Sequence, residues 1–109
     1  MDVQGSVAIL TGATGGLGGC IGQALAEAGA HVVGVYLSST QLARQRAEEW
    51  SEYGQRAIPV QADVTTAEGA SSMVQAAMAE FGRVDILVNN AAFNQWVSYQ
   101  DLDGMTDDL

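Results

Sequence analysis

Val7-Ala-Ile-Leu-Thr-Gly-Ala-Thr-Gly-Gly-Leu-Gly18 is an apolar run that breaks into a glycine-rich turn and enters a helix. Glycine lets the backbone turn sharply and approach a ligand closely, because no Cβ stands in the way. The first N–H groups of the following helix and its positive dipole end then face any anion held there. Strand, glycine turn and helix together predict a pyrophosphate site at the edge of a parallel sheet.

Outward from this run the chain alternates strands with helices. Further strands are expected at His31 to Leu37, at Ala57 to Gln61 followed by Asp63-Val64, and at Val84 to Val88. The first helix, from about Gly16 to Ala28, places Leu17, Ile21 and Leu25 on one face, and Gly29 stands where a left-handed residue would stop it. The second, from about Thr40 to Tyr53, turns Leu42, Ala43, Ala47 and Trp50 inward and Arg44, Arg46, Glu48, Glu49 and Glu52 outward, before Gly54. The third starts at Thr65 or Thr66, where Thr65-x-x-Glu68 reads as a capping box. Its apolar stripe is Ala70, Met73, Val74, Ala77, Met78 and Phe81, ahead of Gly82.

Alternating strands and helices argue for parallel pairing through right-handed crossovers. The expected fold is α/β, a three-layer, doubly wound parallel sheet of the Rossmann type, with strand order 3-2-1-4 and incomplete in extent. Chain direction reverses between the first and fourth strands. The glycine turn and Asn89-Asn90-Ala91-Ala92 both open into that switch-point crevice, where ligands bind in open α/β sheets.

With 109 residues and 48% hydrophobic content the chain is one domain at most. A formal charge of −9 argues against nucleic acid and against anionic membrane surfaces as partners. No segment reaches the ~18 consecutive apolar residues of a membrane span, and Met1-Asp2-Val3-Gln4 lacks a basic start, so the cytoplasm is the expected compartment. The single cysteine, Cys20, has no partner for a disulfide and is expected to be a small buried apolar residue. Asp101, Asp103, Asp107 and Asp108 crowd the last residues without converging ligands around them, so no metal is expected. His31, at the amino end of its strand, reads as structural.

The loop spacing is Thr11-Gly12-x-x-x-Gly16-x-Gly18, and Ile21 stands where a G-x-G-x-x-G pattern would need its last small residue. Together with Asn89-Asn90-Ala91-Ala92 and Asp63-Val64, this spacing resembles the short-chain dehydrogenase/reductase family. The resemblance covers essentially the whole chain, but only the N-terminal part of the family's usual length. On it, residues 1–109 are expected to be the N-terminal part of a single NAD(P)-binding Rossmann domain. The loop also fits Thr11-Gly12-x-x-Gly15-x-x-Gly18, the pattern of epimerase and dehydratase relatives, against which Asn-Asn-Ala-Ala speaks.

Gly12, Gly16 and Gly18 would supply the turn, the close approach and the tight helix contact, with the backbone of Thr14, Gly15 and Leu17 near the pyrophosphate. The resemblance implies that Asp63 and Val64 contact adenine and that Asn90, Ala91 and Ala92 line the nicotinamide ribose, with Ala92 in place of the family's glycine. Asn89 would mainly satisfy buried backbone groups. At the end of the second strand, where an acid would accept from the ribose hydroxyls of NAD, stand Tyr36, Leu37, Ser38 and Ser39. No carboxylate repels a 2′-phosphate there, which leans the expectation to NADP over NAD. Arg44 and Arg46 read as surface charges pairing with Glu48 and Glu49.

The family's chemistry uses a serine and a Tyr-x-x-x-Lys pair. Tyr36, Tyr53 and Tyr99 are followed four residues on by Thr40, Ala57 and Asp103, and the chain contains no lysine, so no catalytic residue is assigned. The expectation is an NAD(P)-dependent oxidoreductase acting on a carbonyl or secondary alcohol, its catalytic part outside this chain and the full-length protein homo-oligomeric. The alternative is a non-catalytic half-domain that binds a dinucleotide or a partner. Phe93, Asn94, Gln95 and Trp96 would border the substrate entrance.

Overall fold

The computed structural model describes residues 2–90. Their elements follow in the order β1 (Val7–Thr11), α1 (Gly16–Glu27), β2 (His31–Tyr36), α2 (Thr40–Ser51), β3 (Ala57–Gln61), α3 (Ala67–Phe81) and β4 (Ile86–Val88). All pairings are parallel and the sheet order is β3-β2-β1-β4, the order expected from the alternation.

Period-two alternation divides the core between the two faces of the sheet. Val7, Ile9, Val33 and Val35 pack with Met73 and Ala77 of α3, and Leu10 and Val32 pack on the other side with Ala13, Ala26 of α1 and Trp50 of α2. The two central strands are thus covered twice and read as unbroken apolar runs, as parallel strands do. Each fully buried Val, Leu or Ile stabilises the fold by about 1.5–3 kcal/mol relative to exposure.

Helix α1 lies against its neighbours through small residues. Gly18, Gly22 and Ala26 are its buried positions, and Ile21 and Leu25 pack from the flank. A Cβ on Gly22 would lie 2.1 Å from Cζ2 of Trp50, so the glycine is what admits the indole. This face differs from the expected one: Leu17 is 65% exposed. Cys20, two residues from Gly18 and Gly22, is turned outward and exposed rather than buried. The helix ends as expected at Gly29 (φ +92°), where Gly29 N–H donates to Ala26 and Ala30 N–H to Leu25, the paired bonds of a Schellman turn.

Helix α2 buries Ala43, Ala47 and Trp50. Helix α3 starts one residue later than a Thr65 cap requires: Thr66 is the N-cap and accepts from Gly69 N–H, so the Thr65–Glu68 box does not form. Of the apolar stripe on α3, Met73 and Ala77 are buried and Phe81 is half-buried, whereas Val74 and Met78 are exposed, as is Leu87 of β4. Leu87 pairs with Ile9, whose side chain points to the α3 face, so the apolar surface left open lies on that side of the sheet.

Strand β4 is shorter than expected because Asp85 replaces a ladder carbonyl. Its carboxylate accepts from Val7 N–H at 2.9 Å while its own N–H donates to Val7 O. Arg83 bonds the same carboxylate at 2.7 Å and holds it below the ordinary carboxylate range. His31 serves the amino end of the sheet, its Nδ1 accepting from Arg56 N–H and its ring lying 4.9 Å from that of Phe81.

Gly22→Ala is therefore expected to destabilise the chain despite the higher helix propensity of alanine, by about 1–3 kcal/mol of overpacking against Trp50. The check is a fall of at least about 4 °C in the far-UV circular dichroism melting midpoint.

Candidate functional site

The carboxyl ends of β1, β2 and β3 open onto one cleft of about 490 Å³. Gly12, Thr14, Gly15, Gly16 and Leu17 line it from the first turn, Tyr36 and Ser38 from the end of β2, Asp63 and Val64 from the end of β3, and Asn90 from beyond β4. Segments separated by some 20 to 30 residues in sequence are thus brought to one place by the crossovers. Gly18 is not in the wall, and Ala91, Ala92, Phe93 to Trp96 and the acids from Asp101 onward lie outside the described residues.

Each loop glycine has a separate geometric reason. Gly12 adopts φ +67°, a conformation costly for a side chain that branches at Cβ. Gly18 meets the loop: a Cβ there would lie 2.1 Å from the carbonyl oxygen of Gly12. Around Gly16 nothing stands within 4 Å of such an atom, so the backbone is bare toward the cleft. Gly15, the N-cap of α1, has extended backbone and no side-chain cap, and no acid lies in the first turn. The leading N–H groups of α1 and its dipole therefore present positive potential at the cleft floor.

The far wall is tied to this loop across the whole chain. Thr11 Oγ1 donates to Asn89 Oδ1 at 3.1 Å and accepts from Asn90 N–H at 2.9 Å, and Asn90 Nδ2 donates to Gly12 O at 3.4 Å. Asn89 is exposed; its partner is the Thr11 hydroxyl rather than the buried backbone expected for it.

At the end of β3, Asp63 Oδ1 accepts from Thr65 N–H at 3.0 Å and from Thr65 Oγ1 at 2.5 Å. These bonds, the side-chain one first, hold the Asp63 carboxyl below its ordinary range, so it is anionic at neutral pH. Gly69 of α3 sits against this turn, where a Cβ would fall 1.7 Å from Asp63 O. At the end of β2, Tyr36 is buried, Ser38 is exposed and Gln61 Nε2 fixes Leu37 O at 3.0 Å. Ser39, the N-cap of α2, adopts φ +66°, a strained value for serine.

Four cleft residues were not among those expected: Val35, Leu37, Ala62 and Thr65. Asp-x-Thr at 63–65 carried the signal for Thr65, since a short carboxylate commonly accepts from the residue two places on. Arg46 is a larger correction. Its guanidinium reaches past Gly19 and donates to the carbonyls of Ala13 and Gly15, the latter at 2.6 Å, instead of pairing with Glu48 or Glu49. The ion pairs among the described residues are Arg56–Glu80 and Arg83–Asp85.

Comparison with known proteins places this geometry among relatives. The short chain dehydrogenase family matches residues 6–106. An uncharacterized oxidoreductase of Methylorubrum extorquens is 42% identical over 100 residues, which are 92% of this chain and 40% of that protein. The short-chain dehydrogenase/reductase homolog YusS of Bacillus subtilis is 35% identical over 109 residues, 100% of both chains. Among solved structures, L-sorbose reductase from Gluconobacter frateurii complexed with NADPH and L-sorbose superposes with a TM-score of 0.79 at 35% identity, over 93% of this chain and 39% of that one. The chain thus spans about 40% of the length of the first of these relatives and the whole of the second.

Replacing Thr65 by valine removes the shorter bond to Asp63 and is expected to move that carboxyl back up toward the ordinary value of about 3.9. In the wild type the folded value lies below the unfolded one, so the bond stabilises the fold above about pH 4 and that contribution is lost as pH falls through the folded value. An NMR titration of the Asp63 carboxyl carbon in both chains checks this.

Proposed function

The chain belongs to the short-chain dehydrogenase family, and on that premise we propose that its cleft binds a nicotinamide dinucleotide, NADP ahead of NAD, and that residues 1–109 are the N-terminal part of a single NAD(P)-binding Rossmann domain. The parent protein, in this reading, is an oxidoreductase that transfers hydride between nicotinamide and a carbonyl or secondary alcohol. The observation that carries it is the convergence of the bare Gly16 backbone, the Asp63 carboxylate and Asn90 on one cleft at the switch point.

The residues present fit such a ligand. Open space over Gly16 admits a pyrophosphate against the leading N–H groups of α1, which a Cβ or an acid in the first turn would oppose. Asp63, anionic and fixed by Thr65, accepts from the exocyclic amine of adenine, with the Val64 backbone beside it. Tyr36 and Ser38 flank the adenosine ribose, and Ser38 donates to a 2′-phosphate. Asn90, held to Thr11 and Gly12, leads into Ala91 and Ala92 at the nicotinamide ribose. The bound dinucleotide supplies the hydride-transfer chemistry.

Proton transfer to the substrate oxygen needs an acid whose pKa is tuned near neutrality. No lysine occurs in the 109 residues to lower that of a tyrosine. We therefore place the catalytic serine, tyrosine and lysine outside this chain and expect the chain alone to be inactive, with the substrate carbonyl or alcohol and homo-oligomeric assembly belonging to the full-length protein.

Calorimetric titration tests the reading. NADPH and NADH should bind the chain while FAD should not, and failure of both nicotinamide dinucleotides to bind would exclude it. Ser38→Asp, at an exposed position, should weaken NADPH at least about tenfold, equivalent to about 1.4 kcal/mol, through repulsion of the 2′-phosphate, and leave NADH within about twofold.

A further inference from the structure

The glycine turn contains no side chain long enough to hold its own shape, and its two outward carbonyls are met from another element. Arg46 is on α2, 31 residues beyond Gly15, yet its Nη1 donates to both Ala13 O and Gly15 O. Neither Ala13 nor Arg46 lines the cleft, so the guanidinium grips the turn from behind. The path to it is kept clear by Gly19, where a Cβ would lie 3.0 Å from Cζ of Arg46 and 3.1 Å from Nη2. Longer side chains at residue 19 would occupy the place of the guanidinium.

Peptide groups of the turn can point either the N–H or the carbonyl toward a ligand. Anion binding requires that the N–H groups face the cleft and the carbonyls face away. Gly15 O already accepts Gly19 N–H at 3.1 Å as the first bond of α1, and a planar guanidinium can bond it and Ala13 O together while adding a positive charge behind the site.

We propose that Arg46 is a positioning residue for the anion site: it locks the Ala13 and Gly15 carbonyls away from the cleft so that the turn presents N–H groups to the pyrophosphate. The role rests on the reading of the cleft as a dinucleotide site, and it concerns both NADP and NAD, since the pyrophosphate is common to them. Arg46 touches the turn and not the 2′-phosphate.

Three variants of the 109-residue chain, Arg46→Gln, Arg46→Lys and Gly19→Val, are compared with wild type by NMR titration with ADP-ribose, which carries the pyrophosphate, and with adenosine, which does not. Valine at 19 has a helix propensity no worse than glycine, so this variant displaces the guanidinium without weakening α1. The expected result is a loss of about tenfold in ADP-ribose affinity for Arg46→Gln and Gly19→Val, equivalent to about 1.4 kcal/mol. Arg46→Lys should recover part of it, and adenosine affinity should stay within about twofold. A general structural defect would weaken both ligands together.

Unchanged ADP-ribose affinity in Arg46→Gln, or a loss equal for both ligands, would overturn the proposal. So would a loss seen for NADPH alone among the dinucleotides, which would place Arg46 on the 2′-phosphate. Amide hydrogen exchange of residues 15–19 in the free chain separates this idea from the dinucleotide reading. If wild type binds no ligand but Arg46→Gln accelerates exchange there, the locking of the turn stands and the dinucleotide reading fails; if exchange is unchanged, the locking itself fails.

Discussion

The contact of the Gly12 carbonyl with the α-carbon of Gly18 sets the geometry on which the remainder of the structure depends. A Cβ at 18 would lie 2.1 Å from that oxygen, so only glycine lets α1 start this close to the end of β1. The close start aligns α1 with its small face, Gly22 and Ala26, toward the sheet and α2. Trp50 fills the space this leaves, touching Gly22 and approaching Gly34 of β2. Backbone proximity at the turn, rather than large apolar side chains on α1, is what brings the α1–α2 layer onto the sheet here. The same proximity fixes the direction in which the helix N-terminus points, and hence the floor of the cleft.

Much of this was legible in the sequence. The alternation of apolar strands with helices, and punctuation by Gly29, Gly54 and Gly82, dictate element order, and parallel pairing with right-handed crossovers agrees with the 3-2-1-4 sheet. Ten of the cleft residues could be named because topology fixes the strand ends and the switch point and the family resemblance implied Asp63, Val64 and Asn90. What was not legible has one physical origin. Apolar periodicity assumes that large residues do the burying, and on α1 small ones do. Leu17 and Cys20 were accordingly assigned to the core and are exposed.

Arg46 was misread for a related reason. An arginine near Glu48 and Glu49 on a helix suggests an ion pair, yet exposed pairs of that kind contribute about 0–1 kcal/mol. Two backbone carbonyls across a glycine gap offer a better fit to the planar guanidinium, and local spacing carries no information about them. The cap of α3 shifted similarly by one residue, because Thr65 is already engaged by Asp63 and Thr66 is left to receive Gly69 N–H. Val74 and Met78 belong to the apolar stripe in sequence but are exposed, as is Leu87 of the three-residue strand β4.

The bonds from Thr11 to Asn89 and Asn90 join residues 78 and 79 positions apart. Loop-closure entropy makes contacts of such separation slow to form and dependent on everything between them being ordered first. The strand they secure, β4, has three residues and is the outermost strand among the described residues, which puts it at the low end of local stability there. Assembly of the cleft is therefore expected late in folding for these residues, and its far wall is expected to open early on partial unfolding. A molecule bridging the glycine turn and Asn90 would act as a kinetic latch: by adding contacts across that one seam it would slow the opening of the whole sheet.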